Sequence, residues 1–306
     1  MHSIQAPSAV VMVRPHAFAS NPETHDDNAF QTLSNRSADV TSRAARDEHD
    51  TAVAQLRDAG VTVHVFDDHG VRDTPDSVFP NNWFSTHSGG HVAIYPMFAP
   101  SRRRERRADV IELLKQEYRV QDVIDYSGLE QDDLALEGTG AMVLDHVARI
   151  AYTAKSHRAD PVLLERFCTH FNYEPIAFDA RDAQGRDVYH TNVLMGIGTE
   201  YALICLDMIV EPDRRAMVKS RLEETGKTVI DLSHDQINEF AGNAIELTGK
   251  NGPVLAISAR ALAALRPDQT AIITNSATLL PLSVPTIETA GGSVRCMIAG
   301  IHLSHR

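Results

Sequence analysis

The chain has 306 residues, 43% of them hydrophobic and 23% charged, so it can bury a core and is not disordered. Its formal net charge of −12 argues against nucleic acid or an anionic membrane as the main partner. No apolar run reaches the ~18 residues of a transmembrane helix, and the N-terminus lacks a signal-peptide pattern, so we expect a soluble, cytoplasmic protein.

The predicted elements begin with a strand in 9–18, a helix within 40–59 and a strand in 61–67. Hairpins follow, in which two apolar stretches flank a turn that carries Gly, Asp-His, Gly-Thr or Lys-Asn-Gly. The hairpins span residues 81–96, 137–153, 190–206 and 242–258, and a less regular copy spans 295–303.

A helical pattern follows each complete hairpin, because apolar residues recur there at spacings of three and four. Proline in the first turn marks the starts at Asp160-Pro161 and Glu211-Pro212. Short β-branched strands come after the helices. The helices are expected in 102–118, 160–171, 211–226 and 258–267, and the strands in 121–127, 174–180 and 227–233.

The hairpin starts recur at a steady period. Asn82 and Glu137 are 55 residues apart, and the steps from Glu137 to His190, Asn243 and Cys296 are 53 residues each. Such a period predicts a closed array of strand–strand–helix–strand units in one domain over residues 1–306. In a closed ring the same position of each unit faces the common axis. These five polar side chains are therefore expected to converge.

The cysteines Cys168, Cys205 and Cys296 are odd in number and widely spaced, which does not favour a disulfide framework. There is no CxxC and no HExxH, and a glycine pair between His87 and His91 indicates a turn rather than a zinc-binding helix. We therefore expect no metal site.

Several short motifs occur in a characteristic order. They are FPNNWFSTH (79–87), APSRR (99–103), LEGTG (136–140), YHTN (189–192) and GGSVRC (291–296). Together they resemble the guanidine-modifying enzymes of the α/β-propeller (pentein) superfamily, which includes arginine deiminase, dimethylarginine dimethylaminohydrolase and the amidinotransferases. The nearest resemblance is to the citrulline-utilisation hydrolase branch. This resemblance implies an α/β fold in which five similar units form a pseudosymmetric propeller.

The resemblance also implies roles for three residues. Cys296 would be the nucleophile, His190 the proton shuttle, and Glu137 the residue that orients the histidine or lies near the substrate. A cysteine in an apolar stretch is by default a core residue. We apply that interpretation to Cys168 and Cys205, whereas the periodic position and the motif favour a nucleophile at Cys296.

Two asparagines stand where relatives carry acidic residues that bind a guanidinium. These are Asn82 and Asn192. A guanidinium has five donors and a fixed charge, whereas an asparagine offers both a donor and an acceptor, as a neutral ureido group requires. This pattern favours citrulline over arginine, although Asp76 could still supply a charge.

Three further residues are candidates for substrate binding. Arg102 matches a family position that binds the substrate carboxylate, while the rest of the basic run 101–107 is expected to be a solvated helix start. Lys155 lies where relatives often place an arginine for the same task. Asn243 either holds a turn or contributes to the site.

The predicted chemistry is attack of the Cys296 thiolate on a planar carbon that bears nitrogens, which gives a covalent intermediate. His190 protonates the leaving amine and then activates water. No cofactor is required. The alternatives are an arginine or methylarginine hydrolase or deiminase, an amidinotransferase, and a non-catalytic descendant of the fold. Homo-oligomerisation stays open.

Overall fold

The structure, a computed structural model, describes residues 3–32 and 36–306. Its strands form five sheets of three strands each. The strands are β1 (Ala9–Pro15), β2 (Thr62–Asp68), β3 (Phe84–His87), β4 (His91–Ile94), β5 (Asp122–Asp125), β6 (Met142–Asp145), β7 (Ile150–Ala154), β8 (Glu174–Phe178), β9 (Met195–Ile197), β10 (Tyr201–Ile204), β11 (Thr228–Asp231), β12 (Ile245–Gly249), β13 (Gly252–Ser258), β14 (Thr278–Leu282) and β15 (Ala299–Gly300).

Four of the five sheets repeat one connection pattern. An antiparallel hairpin supplies the first two strands, and a crossover that contains helix returns the chain as a third strand parallel to the second. In the second sheet, for example, Phe84 pairs with Ile94, and Ile94 pairs with Asp125. A parallel partner requires such a crossover, because a tight turn can join only antiparallel strands. The predicted strand–strand–helix–strand unit is confirmed.

The first sheet closes the array by joining the two ends of the chain. Strand β15 pairs antiparallel with β1, so that Val10 lies opposite Gly300 and Val11 opposite Ala299. Strand β15 thus takes the place that the first hairpin strand has in the other sheets. This pairing joins the C-terminal segment to the N-terminal unit, as a closed array requires.

The helices occupy the crossovers and the unit starts. They are α1 (Ala38–Asp58), α2 (Pro100–Arg103), α3 (Ala108–Glu117), α4 (Gly138–Ala141), α5 (Pro161–Phe171), α6 (Thr191–Leu194), α7 (Pro212–Glu224), α8 (His234–Asn238), α9 (Ala259–Ala264), α10 (Pro267–Thr274) and α11 (Val294–Met297), with 3₁₀ helices at Pro22–Thr24, Pro80–Asn82, Ser127–Asp132, Leu206–Met208 and Ile287–Thr289. The predicted starts at Asp160 and Glu211 are confirmed, since both precede a proline at the first helical position.

Two local predictions were wrong. The helix expected over 102–118 is broken into α2 and α3, with Arg104 to Arg107 between them. Residues 138–141 and 294–297, where the repeat predicts the start of a hairpin, form the one-turn helices α4 and α11 instead. A single helical turn contains too few residues to show helical periodicity in the sequence.

Hydrophobic clusters fill the space between each sheet and its helices. Cys168 and Cys205 are 3% and 0% exposed within two of these clusters, in agreement with their predicted core positions. All three cysteines are free thiols. Among the helices of residues 3–32 and 36–306, none is long and apolar enough to cross a bilayer.

Candidate active site

The predicted site residues lie at the starts of the units. Glu137 and His190 precede the first turns of α4 and α6, Asn82 ends the 3₁₀ helix Pro80–Asn82, and Cys296 lies in α11. Asn243 lies just before β12. All five are at most 3% exposed. Asn82, His190 and Cys296 line one cavity, His190 contacts Glu137 and Asn243 contacts Cys296, so the equivalent positions converge, as the repeat predicted.

A small cavity of about 10 Å³ lies among these residues. That volume is about the room of one water molecule. The cavity is lined by Asn28, Asp76, Phe79, Asn82, Arg102, Arg158, Tyr189, His190, Ala290, Gly292 and Cys296. Cys296 and His190 thus line one space.

The Cys296 sulfur is held by two side-chain amides. Asn192 Nδ2 lies 3.2 Å and Asn243 Nδ2 lies 3.3 Å from Sγ. The orientation of the Asn243 amide is fixed because its Oδ1 accepts from the Arg295 backbone N–H at 3.1 Å, which leaves the NH₂ to face the sulfur. Two side-chain N–H groups are thus directed at the sulfur. Asn243, for which a turn role was also open, therefore contacts the predicted nucleophile.

The imidazole of His190 pairs with a buried carboxylate. Its Nε2 lies 2.8 Å from Glu137 Oε2, and Glu137 Oε1 accepts from the Phe98 backbone N–H at 3.0 Å. Arg158 and Arg102 each place an Nη1 atom 3.7 Å from Glu137 Oε2. Burial opposes ionisation of Glu137, but the charge of Arg158 and then the His190 hydrogen bond lower its pKa to about 2. At His190, burial lowers the pKa of the imidazole more than the neighbouring Glu137 carboxylate raises it. The resting pair is therefore a carboxylate beside a neutral imidazole.

Arg102 is buried and reaches the cavity with its charged end. Its Nη1 donates to Asn82 Oδ1 at 2.9 Å, and Glu105 accepts from Nε and Nη2, each at 3.0 Å. The basic run 101–107 is therefore not solvated throughout, because Arg102 and Glu105 are both 3% exposed. Asn82 consequently presents its amide NH₂, rather than its carbonyl, to the remaining neighbours.

Asp76 lines the same cavity and is 4% exposed. Its Oδ2 accepts from Asn21 Nδ2 at 2.9 Å, whereas its Oδ1 has no hydrogen-bond partner among the described residues. Burial raises the pKa of this carboxyl, although Arg102 opposes the shift. A buried oxygen without a partner is unfavourable, and a ligand that donates a hydrogen bond would satisfy it.

Sequence reasoning missed Arg158, which lies three residues after Lys155. Arg158 is 2% exposed, lines the cavity, and makes a two-pronged ion pair with Asp27 through Nε (2.8 Å) and Nη2. Its guanidinium also stacks over the Tyr189 ring at 4.9 Å. The sequence near Arg158 gives no other signal of this role than its position after the 137–153 hairpin, since Asp27, with which it makes the two-pronged ion pair, is 131 residues away.

Lys155 is not brought together with the other predicted residues. Its Nζ lies 2.7 Å from Asp179, and its side chain is 39% exposed. Both residues line an outer pocket of about 580 Å³, which shares Asn28 and Tyr189 with the inner cavity. Any contact of Lys155 with a substrate would therefore involve the part that extends away from the thiol.

Within residues 3–32 and 36–306, no group of three or more His, Cys, Asp or Glu side chains is arranged to hold a metal ion. The chemistry that the described side chains can supply is nucleophilic attack, proton transfer, and binding of charge by the two buried arginines and Asp76.

A family model described as N,N dimethylarginine dimethylhydrolase, eukaryotic, matches residues 14–303. The chain belongs to this family. It therefore lies in the pentein superfamily of guanidino-modifying enzymes, as the motifs predicted, and its relatives there are hydrolases of C–N bonds. A search of curated protein sequences finds no significant match.

Solved structures share the fold at low identity. The N-terminal domain of ArgZ, an arginine dihydrolase from the ornithine–ammonia cycle in cyanobacteria, is 13% identical with a TM-score of 0.74, covering 96% of this chain and 99% of that one. Unliganded AgrE is 15% identical with a TM-score of 0.73, and the match covers 95% of this chain but 38% of AgrE. A dimethylarginine dimethylaminohydrolase adduct is 15% identical with a TM-score of 0.65, covering 96% and 99%. The predicted five-fold α/β-propeller is confirmed.

Proposed function

We propose that the chain is a cysteine-dependent hydrolase that breaks a C–N bond in the head group of a guanidino amino acid, such as arginine or an N-methylated arginine. Residues 1–306 would act as one catalytic domain in the cytoplasm, without a metal or cofactor. The observation that carries the proposal is the cavity lined by Cys296, His190 and Asp76, in which His190 pairs with Glu137 and Asp76 has a buried oxygen without a hydrogen-bond partner among the described residues.

In the proposed reaction His190 takes the proton of the Cys296 thiol, and the resulting thiolate attacks the central carbon of the head group and forms a C–S bond. The tetrahedral intermediate collapses when one C–N bond breaks, and the departing nitrogen takes a proton from His190. His190 then accepts a proton from water, whose oxygen attacks the same carbon. The C–S bond breaks in that second step, and the thiolate returns.

A guanidinium head group suits the acceptors in the cavity. It carries only N–H donors and a positive charge, and Asp76 offers an unpaired buried oxygen. Arg102 and Arg158 are the buried cations that could bind the carboxylate of the amino acid, since each is at most 3% exposed and lines the cavity. The names of the family and of ArgZ, an arginine dihydrolase, support the same class of substrate.

Citrulline is the second candidate, and the sequence-based preference for it stays a prediction. The observation that favours it is the amide at Asn82, which stands where guanidinium-binding relatives carry a carboxylate. Because Asn82 Oδ1 accepts from Arg102, its NH₂ is oriented as a donor that a ureido carbonyl could accept from.

The decisive experiment is intact-protein mass spectrometry after incubation with L-arginine, N-methylated arginines and L-citrulline separately, together with product analysis. An amidino adduct on Cys296 and release of ammonia or a methylamine from the guanidino compounds would support the main proposal. Turnover of citrulline alone would favour the second candidate, and product formation only with an added amine would indicate an amidinotransferase. Unchanged activity in folded Cys296→Ser would refute the cysteine mechanism.

A further inference from the structure

Glu105 binds Arg102 through both oxygens of its carboxylate. Oε1 accepts from Nε and Oε2 from Nη2, each at 3.0 Å. Both side chains are 3% exposed, so the ion pair is scarcely screened by water. Arg102 lines the inner cavity, whereas Glu105 lines a separate surface pocket of about 170 Å³. The carboxylate thus holds the guanidinium from outside the cavity.

The planarity of the guanidinium transmits this constraint to the cavity. Once Nε and Nη2 are fixed by Glu105, the direction of Nη1 is fixed as well. Nη1 donates to Asn82 Oδ1 at 2.9 Å and lies 3.7 Å from Glu137 Oε2, so it is the part of Arg102 nearest the predicted acid–base pair. Phe79 adds a weaker restraint, because its carbonyl accepts from Nη2 at 3.3 Å.

We propose that Glu105 is a positioning residue for substrate binding, which keeps Arg102 oriented so that Nη1 can bind the carboxylate of the amino-acid substrate. The inference rests on the proposed function of the cavity. Glu105 touches no reacting atom; it acts through Arg102.

The surroundings of Glu105 make this action sensitive to pH. Arg102, Asp76 and Glu137 face it from the cavity side. The surface pocket adds titratable or charged side chains, namely Asp67, Asp68, His69, Arg72, Arg104 and Arg107. Burial raises the pKa of Glu105 to about 7, although the charge of Arg102 opposes the shift. Below that pH the carboxyl is protonated, so one of its oxygens carries a proton and Glu105 loses the charge with which both oxygens bind Arg102.

The same segment contains a matched control. Glu130 accepts from Arg106 through both of its oxygens, with Nη2 at 3.0 Å from Oε2, and this pair does not line the cavity. Glu130→Gln therefore removes a similar two-pronged ion pair at a residue whose charged partners are Arg106 and Arg103 rather than Arg102.

The first test compares the kinetics of Glu105→Gln, Glu105→Asp and Glu130→Gln with L-arginine. Loss of a hydrogen bond to a charged group predicts a rise of about tenfold or more in KM for Glu105→Gln, with kcat changed far less. Glu105→Asp keeps the charge and should therefore raise KM less than Glu105→Gln does. Glu130→Gln should leave KM unchanged. In wild type KM should rise as the pH falls through about 7, and this rise should be absent in Glu105→Gln.

A double-mutant cycle shows whether Glu105 acts through Arg102. The effects of Glu105→Gln and Arg102→Lys on KM should be less than additive, whereas those of Glu130→Gln and Arg102→Lys should add. If the effects of Glu105→Gln and Arg102→Lys on KM were additive, or if Glu105→Gln lowered kcat and left KM unchanged, the inference would be overturned. If Glu105→Gln does not fold, as judged by circular dichroism, the pH profile of Glu105→Asp decides: a profile identical to wild type overturns it.

Calorimetry separates this inference from the proposed function. In the Cys296→Ser background, L-arginine should bind about tenfold or more weakly when Glu105→Gln is added. If Cys296→Ser has lost turnover but binds L-arginine equally well with and without Glu105→Gln, the role of Glu105 is refuted and the proposed function is not. Turnover retained in folded Cys296→Ser would instead refute the proposed function.

Discussion

The Nε2 atom of His190 lies 2.8 Å from Oε2 of Glu137, and the two side chains are 2% and 0% exposed. A buried carboxylate at this distance fixes the ring and stabilises the imidazolium that forms whenever the ring accepts a proton. Because Nε2 is engaged by Glu137, Nδ1 is the nitrogen left to exchange protons with a substrate. Glu137 therefore determines which ring nitrogen could serve proton transfer.

Glu137→Gln should lower kcat by about a hundredfold or more, because the imidazolium loses its counter-charge during proton transfer. KM should change less, since the glutamine keeps the shape of the side chain. Steady-state kinetics with L-arginine or L-citrulline, whichever is turned over, measures both. A kcat within twofold of wild type would contradict a role for this carboxylate in proton transfer.

The same variant should show a pH-dependent loss of stability. The pKa of Glu137 is lowered from 4.5 to about 2 in the folded protein, so ionised Glu137 contributes stability above about pH 4.5, and that contribution disappears as the pH falls through about 2. Removing one partner of a buried ionic cluster costs about 3 kcal/mol. Denaturant unfolding should show this difference at pH 7 and a smaller one toward pH 3. A difference independent of pH would contradict the assigned ionisation.

Gly140→Ala should damage the site more than the fold. A Cβ atom at Gly140 would lie 2.1 Å from Asn82 Nδ2 and 2.9 Å from His190 Nδ1, distances that require both side chains to move. We expect a loss of activity of about a hundredfold, since small displacements of reacting groups are costly. Gly128→Ala is the control, because a Cβ there meets no atom within 4 Å. Comparable activity in the two variants would show that Asn82 and His190 tolerate displacement.

The repeat could be predicted from the sequence because hydrophobic periodicity and turn residues are local signals. They locate the hairpins and crossovers, and the common spacing then brings Glu137, His190 and Cys296 to equivalent positions. The side-chain pairings are not local. The ion pair of Arg158 with Asp27 joins residues 131 positions apart, and nothing near Lys155 in the sequence shows that it would pair with Asp179 instead.

Asn82 and Asn192, the two asparagines predicted to bind the substrate, also show that side-chain contacts cannot be read from the sequence. Their positions in the motifs indicated a common role in binding the head group. In the structure the Asn192 amide donates to the Cys296 sulfur at 3.2 Å, while Asn82 accepts from Arg102. Changing both to aspartate would therefore place a carboxylate against the thiolate as well as alter the cavity. The choice between head groups is better tested at Asp76.

Asn243→Asp should slow alkylation of Cys296 by iodoacetamide. The substitution replaces an N–H donor 3.3 Å from the sulfur with a negative oxygen, which disfavours the thiolate, the reactive form. We expect the rate at pH 7.5 to fall about tenfold, measured by peptide mass spectrometry of the alkylated residue. Asn238→Asp, at an exposed position, should leave the rate unchanged. An alkylation rate in Asn243→Asp equal to that of wild type would show that the Asn243 amide does not stabilise the thiolate of Cys296.

Asp76→Asn should shift the preference of the enzyme from arginine toward citrulline. Burial raises the pKa of Asp76, and its Oδ1 has no partner among the described residues. A bound guanidinium favours the ionised carboxylate through a charge-assisted hydrogen bond of about 1.5–3 kcal/mol, whereas a neutral ureido group gives no such compensation. The asparagine keeps the shape and removes the charge, so the ratio of kcat/KM for arginine to that for citrulline should fall about tenfold or more.

The control for Asp76→Asn is Asp73→Asn in the same loop. Asp73 is exposed and pairs with Arg104 at the surface, so its loss should leave the ratio unchanged. Competition between L-arginine and L-citrulline at pH 8 gives the ratio directly for each variant. A ratio that does not move in folded Asp76→Asn would mean that the head group does not contact this carboxylate. A wild type that already rejects arginine would instead favour the asparagine-based preference for citrulline, because the charge of Asp76 would then have no cation to bind.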